Sequence, residues 1–366
     1  MTRSLKVSSE LESIADKVDQ GKRISEDEAL AILRSTDLPT IGKMADRIRR
    51  RLHGDKTYYV INRHINHTNI CSYDCLFCSF ARKAGQPGAY WLSVEEYLQE
   101  AGGLEGVSEI HTVGGCNDQL GLEYYETLLR RVMERYPNVC CKFLTAVEIV
   151  DLAEREGLAY AEVLSRLKAA GLGMLPGGGA ELFAERIRKK LCRHKATAEA
   201  WLEVHRTAHR LGLPSNATML YGHIETDEEI VDHLARLRRL QDETGGFLCF
   251  VPLAYHPENN RLGALGWTSG QRDLKLLALA RIFLDNVPHI KAYWIMLGLK
   301  LAQLALVFGA DDFDGTVVHE QIYHDAGAKS PEALTSADIE KLIQEAGLKP
   351  VLRDAFYHPL EGSSQG

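Results

Sequence analysis

From about residue 57 onward, short runs of β-branched and aromatic residues alternate with longer stretches in which apolar positions recur every three or four residues. Alternation of that kind places parallel strands under a cover of helices. Eight runs read as strands: "TYYVINRHIN" (57–66), "SEIHTVGG" (108–115), "CCKFLTAV" (140–147), "LGMLPGGG" (172–179), "SNATMLYG" (215–222), "GFLCFVPLAY" (246–255), "HIKAYWIML" (289–297) and "LALVFGADD" (304–312). Eight in series is the number that closes a barrel, so the expected fold is α/β, a (β/α)8 TIM-type barrel. Helix starts are marked where a hydroxyl precedes a carboxylate or amide by three residues: Ser93 with Glu96, Thr226 with Glu229, Thr268 with Gln271. Ser25 with Glu28 marks another, in a mostly helical leader over residues 1–51 whose last run, "RIRRR", reads as a solvated helix face. The barrel is expected over 52–325. A helical extension over 326–366, carrying "SADIEKLIQEAG", is expected to pack on it.

Charge narrows the ligand class. Lys and Arg number 43 against 50 Asp and Glu, a net charge of -7 that offers no broad basic surface for nucleic acid and points to small ligands. No apolar run is long enough to span a bilayer and the amino terminus has no apolar signal core, so a soluble cytoplasmic protein without a membrane partner is expected. Eight cysteines in a chain of this length fit a reducing compartment rather than a disulfide framework. Five of them, Cys116, Cys140, Cys141, Cys192 and Cys249, are scattered and read as buried small hydrophobes.

The other three are not scattered. "HTNICSYDCLFCSFAR" places Cys71, Cys75 and Cys78 on the loop that follows the first strand, and barrel enzymes carry their chemistry on the loops at the carboxyl ends of strands. Three thiolates on one loop can hold an iron-sulfur cubane, which normally takes four cysteines, and leave one iron open to a ligand. A structural zinc site is the alternative, with His67 or Cys116 as its fourth ligand, although zinc ligands usually come as two separated pairs.

The spacing CxxxCxxC, with the aromatic Phe77 before the last cysteine, resembles the radical S-adenosylmethionine (SAM) superfamily. The resemblance implies a [4Fe-4S] cluster on Cys71, Cys75 and Cys78 whose open iron binds the amino and carboxylate groups of SAM, and an electron that splits the sulfonium into methionine and a 5′-deoxyadenosyl radical. It also implies cofactor contacts at Gly114 and Gly115 in "VGGCN", at Glu181 in "PGGGAE", and at Leu220, Gly222 and Glu225 in "TMLYGHIE", where Thr218 replaces the family's first glycine. Blocks spread over about residues 55–320, among them "HINHTNIC", "PGGGAELF", "SNATMLYGHIET" and "FGADDFDGTVVHE", are similar to the aminodeoxyfutalosine synthases of the futalosine route to menaquinone. The dehypoxanthine futalosine cyclases of that route are the alternative; "VPLAYHP" (251–257) separates this chain from their sixth strand.

In the synthases the adenosyl radical adds to the enol ether of 3-[(1-carboxyvinyl)oxy]benzoate. The aryl group then migrates and a carboxylate is lost, so SAM is consumed as a substrate. The resemblance also implies an electron donor such as flavodoxin or ferredoxin. A dianionic aromatic substrate needs donors near its carboxylates and a flat apolar slot. Arg82, just past the cysteines, is the expected carboxylate clamp; His256 and Asn216 are candidate donors, and Asp314 a group that orients one of them.

Overall fold

A computed structural model describes residues 9–360 except 105, 264 and 319; the first eight residues of the leader and the last six of the extension lie outside the described residues. Among the described residues ten strands occur: β1 Lys56–Val60, β2 Asn62–Ile65, β3 Glu109–Thr112, β4 Cys140–Phe143, β5 Leu172–Met174, β6 Ser215–Tyr221, β7 Phe247–Ala254, β8 His289–Ile290, β9 Asp312–Gly315 and β10 Lys349–Leu352. Their ladders are all parallel. The first strand position is cut at Ile61 because its two halves find different neighbours. β1 lies between β9 and β10, whereas β2 pairs with β3.

The ladders run β2-β3-β4-β5, β6-β7-β8 and β10-β1-β9. Single parallel bridges, Leu175 with Ser215 and Lys291 with Asp312, join them. Eight strand positions thus follow one another in chain order, the TIM-type arrangement, with two seams carried by single bridges rather than by a continuous ladder. Helices cover the strands, and the apolar core fills the layer between them. No helix among the described residues is long and apolar enough to cross a membrane.

Several local expectations are corrected. Of the run 289–297, only His289–Ile290 is strand; Trp294–Leu297 is a helical turn, anchored where Trp294 Nε1 donates to the Gly315 carbonyl at 2.9 Å. Of the run 304–312, Leu304 belongs to the helix Leu299–Ala305 and the strand starts only at Asp312. Both runs are apolar on every side, and periodicity does not separate a short buried helix from a strand in such a stretch. The runs 140–147 and 172–179 end as strands at Phe143 and Met174. β10 was not anticipated: Pro350, which has no N–H to give, sits on it opposite Thr57, as an outer strand permits.

The boxes at Ser25, Ser93 and Thr226 form with both reciprocal hydrogen bonds, but the helix at 270 is capped by Ser269, not Thr268. The basic run is not a uniformly solvated face. Arg49 is fully buried, and its guanidinium donates to the carbonyls of Gly54, Lys56 and Ala310, tying the helix Leu38–His53 to the amino-terminal ends of β1 and β9. Arg47 and Arg50 pair at the surface with Asp19 and Asp46.

Candidate active site

The loop after β2 is pinned on all sides. Its Cys71 N–H donates to the Arg82 carbonyl at 2.9 Å, Ser72 N–H to the Cys116 carbonyl at 2.8 Å and Leu76 N–H to the Leu191 carbonyl at 2.9 Å. Lys83 Nζ donates to the carbonyls of Cys71, Ser72 and Tyr73, each at 2.9 Å. Gly114 and Gly115 follow β3 directly beneath this loop. A Cβ on Gly114 would stand 2.7 Å from the Thr68 carbonyl oxygen, and one on Gly115 would overlap the Ile70 carbonyl. Glycine is therefore required here by the approach of one backbone to another.

Cys71, Cys75 and Cys78, with Phe77, Gly114 and Gly115, line one cavity of about 310 Å³ at the carboxyl ends of the strands. None is in a disulfide. A hydrogen bond from the Cys116 thiol, outweighing burial, brings the Cys71 thiol down to about 6; burial pushes Cys75 up to about 12 and raises Cys78 as well. Metal binding at such thiols must displace protons.

The zinc alternative fails on spacing. Zn–S bonds of about 2.3 Å put tetrahedral sulfurs roughly 3.8 Å apart, yet among the described residues the one trio of ligand atoms all within 4.8 Å of one another is His53, His289 and Asp311, far from this loop in sequence. His67 commits its Nε2 to the Tyr125 hydroxyl at 2.9 Å, and burial holds it near 3. Three free thiols on one wall, more widely spaced, fit a cubane that spreads its ligands over separate irons.

Around the rest of the cavity the anticipated residues divide. Asn216, His256 and Asp314 are on the wall, and each has a buried polar atom without a partner among the described residues, Oδ1, Nδ1 and Oδ2 respectively, as does Asn66 Oδ1. Glu181 and Leu220 are also on the wall, joined where Leu220 N–H donates to the Glu181 carbonyl at 2.8 Å. Thr218, at the departure from the glycine pattern, donates its hydroxyl to the Gly177 carbonyl at 2.8 Å and so ties β6 to the loop after β5.

Gly222 and Glu225 are not on the wall. Glu225 accepts from the N–H groups of Gly222 at 2.6 Å and His223 at 2.8 Å; burial alone would raise its carboxyl, and the His223 hydrogen bond with these contacts brings it down to about 2. Arg82 is also off the wall. Its Nη1 donates to the carbonyls of Ser79 at 2.7 Å, Phe80 at 3.3 Å and Ala81 at 3.0 Å, because the turn after Cys78 points three carbonyls at one donor. The clamp expected at Arg82 is thus a brace for the cysteine loop.

Residues that pattern reading missed complete the wall. Lys195 pairs with Glu181 and sits 5.7 Å from the Phe77 ring. Glu148 accepts from Thr145 N–H at 2.7 Å and Gly114 N–H at 3.2 Å, and burial raises its carboxyl to about 7. Tyr323 meets Tyr293 and His256 edge-on, with ring centroids 5.7 and 5.2 Å away, a corner suited to a flat ring. His64, His111, Lys142 and Lys291 form the floor. For Lys142, a lysine framed by Cys141 and Phe143 in a strand was the available signal.

Residues 65–237 match the radical SAM superfamily and residues 244–365 the CofH/MqnC C-terminal region. An aminodeoxyfutalosine synthase of Thermus thermophilus is 48% identical over 94% of this chain and 94% of its own length, and one of Streptomyces coelicolor is 41% identical over 95% and 93%. A 5-amino-6-(D-ribitylamino)uracil–L-tyrosine 4-hydroxyphenyl transferase of Methanosphaerula palustris is 38% identical over 95% of this chain and 98% of its own. Two solved structures share the fold at 17% identity. Methylornithine synthase has a TM-score of 0.72 over 92% of this chain and 97% of its own, and the [FeFe]-hydrogenase maturase HydG 0.76 over 95% and 77%. With its cysteine loop, glycine pair and full-length relatives, the chain belongs to the radical SAM superfamily, in the family that includes the aminodeoxyfutalosine synthases, and that membership implies a [4Fe-4S] cluster and SAM.

Proposed function

We propose that the chain joins the 5′-deoxyadenosyl group of SAM to 3-[(1-carboxyvinyl)oxy]benzoate and forms aminodeoxyfutalosine, a step in menaquinone biosynthesis. One observation carries the reading: a single cavity is lined by three free thiols, an aromatic corner and the side chains of Asn66, Asn216, His256 and Asp314, each with a buried polar atom that has no partner among the described residues. The identity to the two synthases selects among the reactions such a cavity could serve.

A cluster held by Cys71, Cys75 and Cys78 supplies, when reduced, the electron that cleaves SAM. The donor of that electron is a flavodoxin or ferredoxin. Gly114 and Gly115 keep the backbone beside the cysteine loop free of side chains. Glu181 and Lys195, already paired, offer a carboxylate to cofactor hydroxyls and a cation to the cofactor carboxylate. Leu220 packs where an adenine would lie. Tyr293, Tyr323 and His256 hold the benzoate ring flat, and Asn216, His256 and Asp314 bind or orient its polar groups. The buried wall excludes water from the adduct while the aryl group moves from oxygen to carbon. Loss of the former acrylate carboxylate as carbon dioxide or bicarbonate, with return of one electron, ends the sequence.

The test is anaerobic. Reconstituted protein, SAM and dithionite are incubated with the enolpyruvyl benzoate, and the expected mass is that of aminodeoxyfutalosine. Release of 5′-deoxyadenosine with the benzoate untouched would overturn the reading. Turnover of L-tyrosine with the ribitylaminouracil would assign the reaction of the other named relatives instead.

A further inference from the structure

Every charge that closes the cavity floor already has an opposite partner. Lys142 meets Glu109 at 2.8 Å, Lys291 meets Asp314, and Arg353 meets Asp312 at 2.6 Å. Glu320 meets His324 at 3.3 Å, and that hydrogen bond raises His324 to about 9, so it is protonated at neutral pH. On the far wall Lys195 is occupied by Glu181. Among the described residues, no lysine of the cavity lacks a carboxylate.

Above these pairs stand two histidines on adjacent strands. His64 and His111 lie opposite each other in the β2–β3 register, their rings 4.4 Å apart, and both line the cavity. His64 Nε2 lies 3.5 Å from Asn62 Nδ2, and the His111 ring makes no hydrogen bond among the described residues. Burial holds both rings below the ordinary histidine range, so the empty pair is neutral.

A dianionic substrate therefore meets a floor with no spare positive charge. Placing an uncompensated carboxylate there costs several kcal/mol, as does prising a lysine from its partner. Two unprotonated imidazoles at the meeting point offer a cheaper solution: the carboxylate brings a proton with it.

We propose that the His64–His111 pair is the receptor for one carboxylate of the substrate and holds it with a proton taken from solvent on binding. The inference rests on the reaction proposed above. The groups facing the pair are Asp314, Glu320 and Glu109, which favour the proton, and Lys142 and Lys291, which oppose it. The carboxylate adds to the first set and shifts the balance. With the free pair neutral and the occupied pair charged, affinity declines as pH rises from the free pair's titration toward that of the complex.

The experiment is calorimetric titration of the cluster-loaded protein with 3-[(1-carboxyvinyl)oxy]benzoate, with SAM present and no reductant, at about pH 8 in two buffers of different ionisation enthalpy. The expected result is uptake of about one proton per substrate, by linkage. His64→Asn and His111→Asn should each abolish the uptake and weaken binding about tenfold, the equivalent of about 1.4 kcal/mol. The ring-carboxylate methyl ester and its acrylate counterpart identify which carboxylate is received, since one of them should bind without uptake. Binding by the unmodified protein without proton uptake overturns the proposal, whatever the variants do. So does uptake that survives in both variants. Conversion to product without proton uptake leaves the reaction standing and removes the receptor. Binding with uptake but no conversion does the reverse, and absence of binding removes both.

Discussion

At the amino-terminal end of the barrel, Asp311 takes three donors, Arg281 and the Ile290 N–H at 2.8 Å on one oxygen and His289 at 2.6 Å on the other, with His53 Nε2, which donates to the Pro288 carbonyl, 3.4 Å away. Asp312 beside it takes Arg353, the Asp314 N–H and the Tyr357 hydroxyl. At the opposite mouth, Asn66, Asn216, His256 and Asp314 each bury a polar atom that nothing satisfies. An orphaned buried atom costs about 1–3 kcal/mol, so the mouth sacrifices stability that the Asp311 and Asp312 networks do not, although Glu109 Oε2 at the base is also without a hydrogen bond among the described residues. The difference shows how to tell a buried polar network that holds a fold from one that awaits a ligand. The trio His53, His289 and Asp311 lies within metal-ligand spacing, yet its carboxylate is already committed to a guanidinium; composition alone would have pointed to the wrong end.

The sharpest way to break this contrast is to remove one residue from each end. Cys71→Ala should abolish the electron spin resonance signal of the reduced cluster and all cleavage of SAM. A variant with a normal cluster signal would remove Cys71 from the ligand set. At the base, Arg353→Met leaves buried Asp312 with only the more distant Lys291, 3.9 Å away, and the expected loss is about 3–5 kcal/mol of unfolding free energy, read from the urea midpoint. A loss below about 1 kcal/mol would place that pair among those that contribute little. The next effect separates stability from activity at the mouth. Asn216→Ala removes an amide whose Oδ1 has no partner, so the melting temperature should hold or rise while product formation falls about tenfold, the loss of about 1.4 kcal/mol of binding or transition-state contact. Equal loss of both would make Asn216 a structural residue.

The two ends also differ in how legible they are in the chain. The cysteine loop is a local pattern: three ligands within eight residues, next to a strand, need no tertiary information. β6 and β7 were legible for a related reason, being long β-branched and aromatic runs between clear turns. The base is non-local. Arg353 reaches Asp312 from 41 residues away, just past a strand whose sequence, "KPVL", is short and contains proline. Lys142 reads as a solvent-facing residue until the β3–β4 register, which sets His111 opposite Lys142 and Glu109 opposite Cys140, brings the Glu109 carboxylate from 33 residues earlier to within 2.8 Å of its ammonium. Lys195 lies in the turn between the helices Glu185–Leu191 and Ala198–Arg210, where no periodicity applies. The failure at 289–312 has another source: burial all round erases the polar stripe by which helix and strand are told apart.

Arg82 carries the smallest effect and the finest distinction. Proximity to the cysteines made it the natural clamp for a substrate carboxylate, but all its short contacts are to the carbonyls of Ser79, Phe80 and Ala81. A clamp and a brace fail differently. Loss of a clamp lowers conversion of the benzoate and spares the uncoupled release of 5′-deoxyadenosine. Loss of a brace loosens the turn after Cys78 and lowers both by one factor, because both require the cysteine loop in place. Net hydrogen bonds of about 1 kcal/mol each, partly replaced by water at a half-exposed site, set that common factor at about fivefold for Arg82→Ala. Arg82→Lys, which keeps the charge but not the planar donor, should fall between. If conversion alone collapses, the guanidinium swings into the cavity when substrate arrives, and the mouth then holds a cation in addition to those already paired.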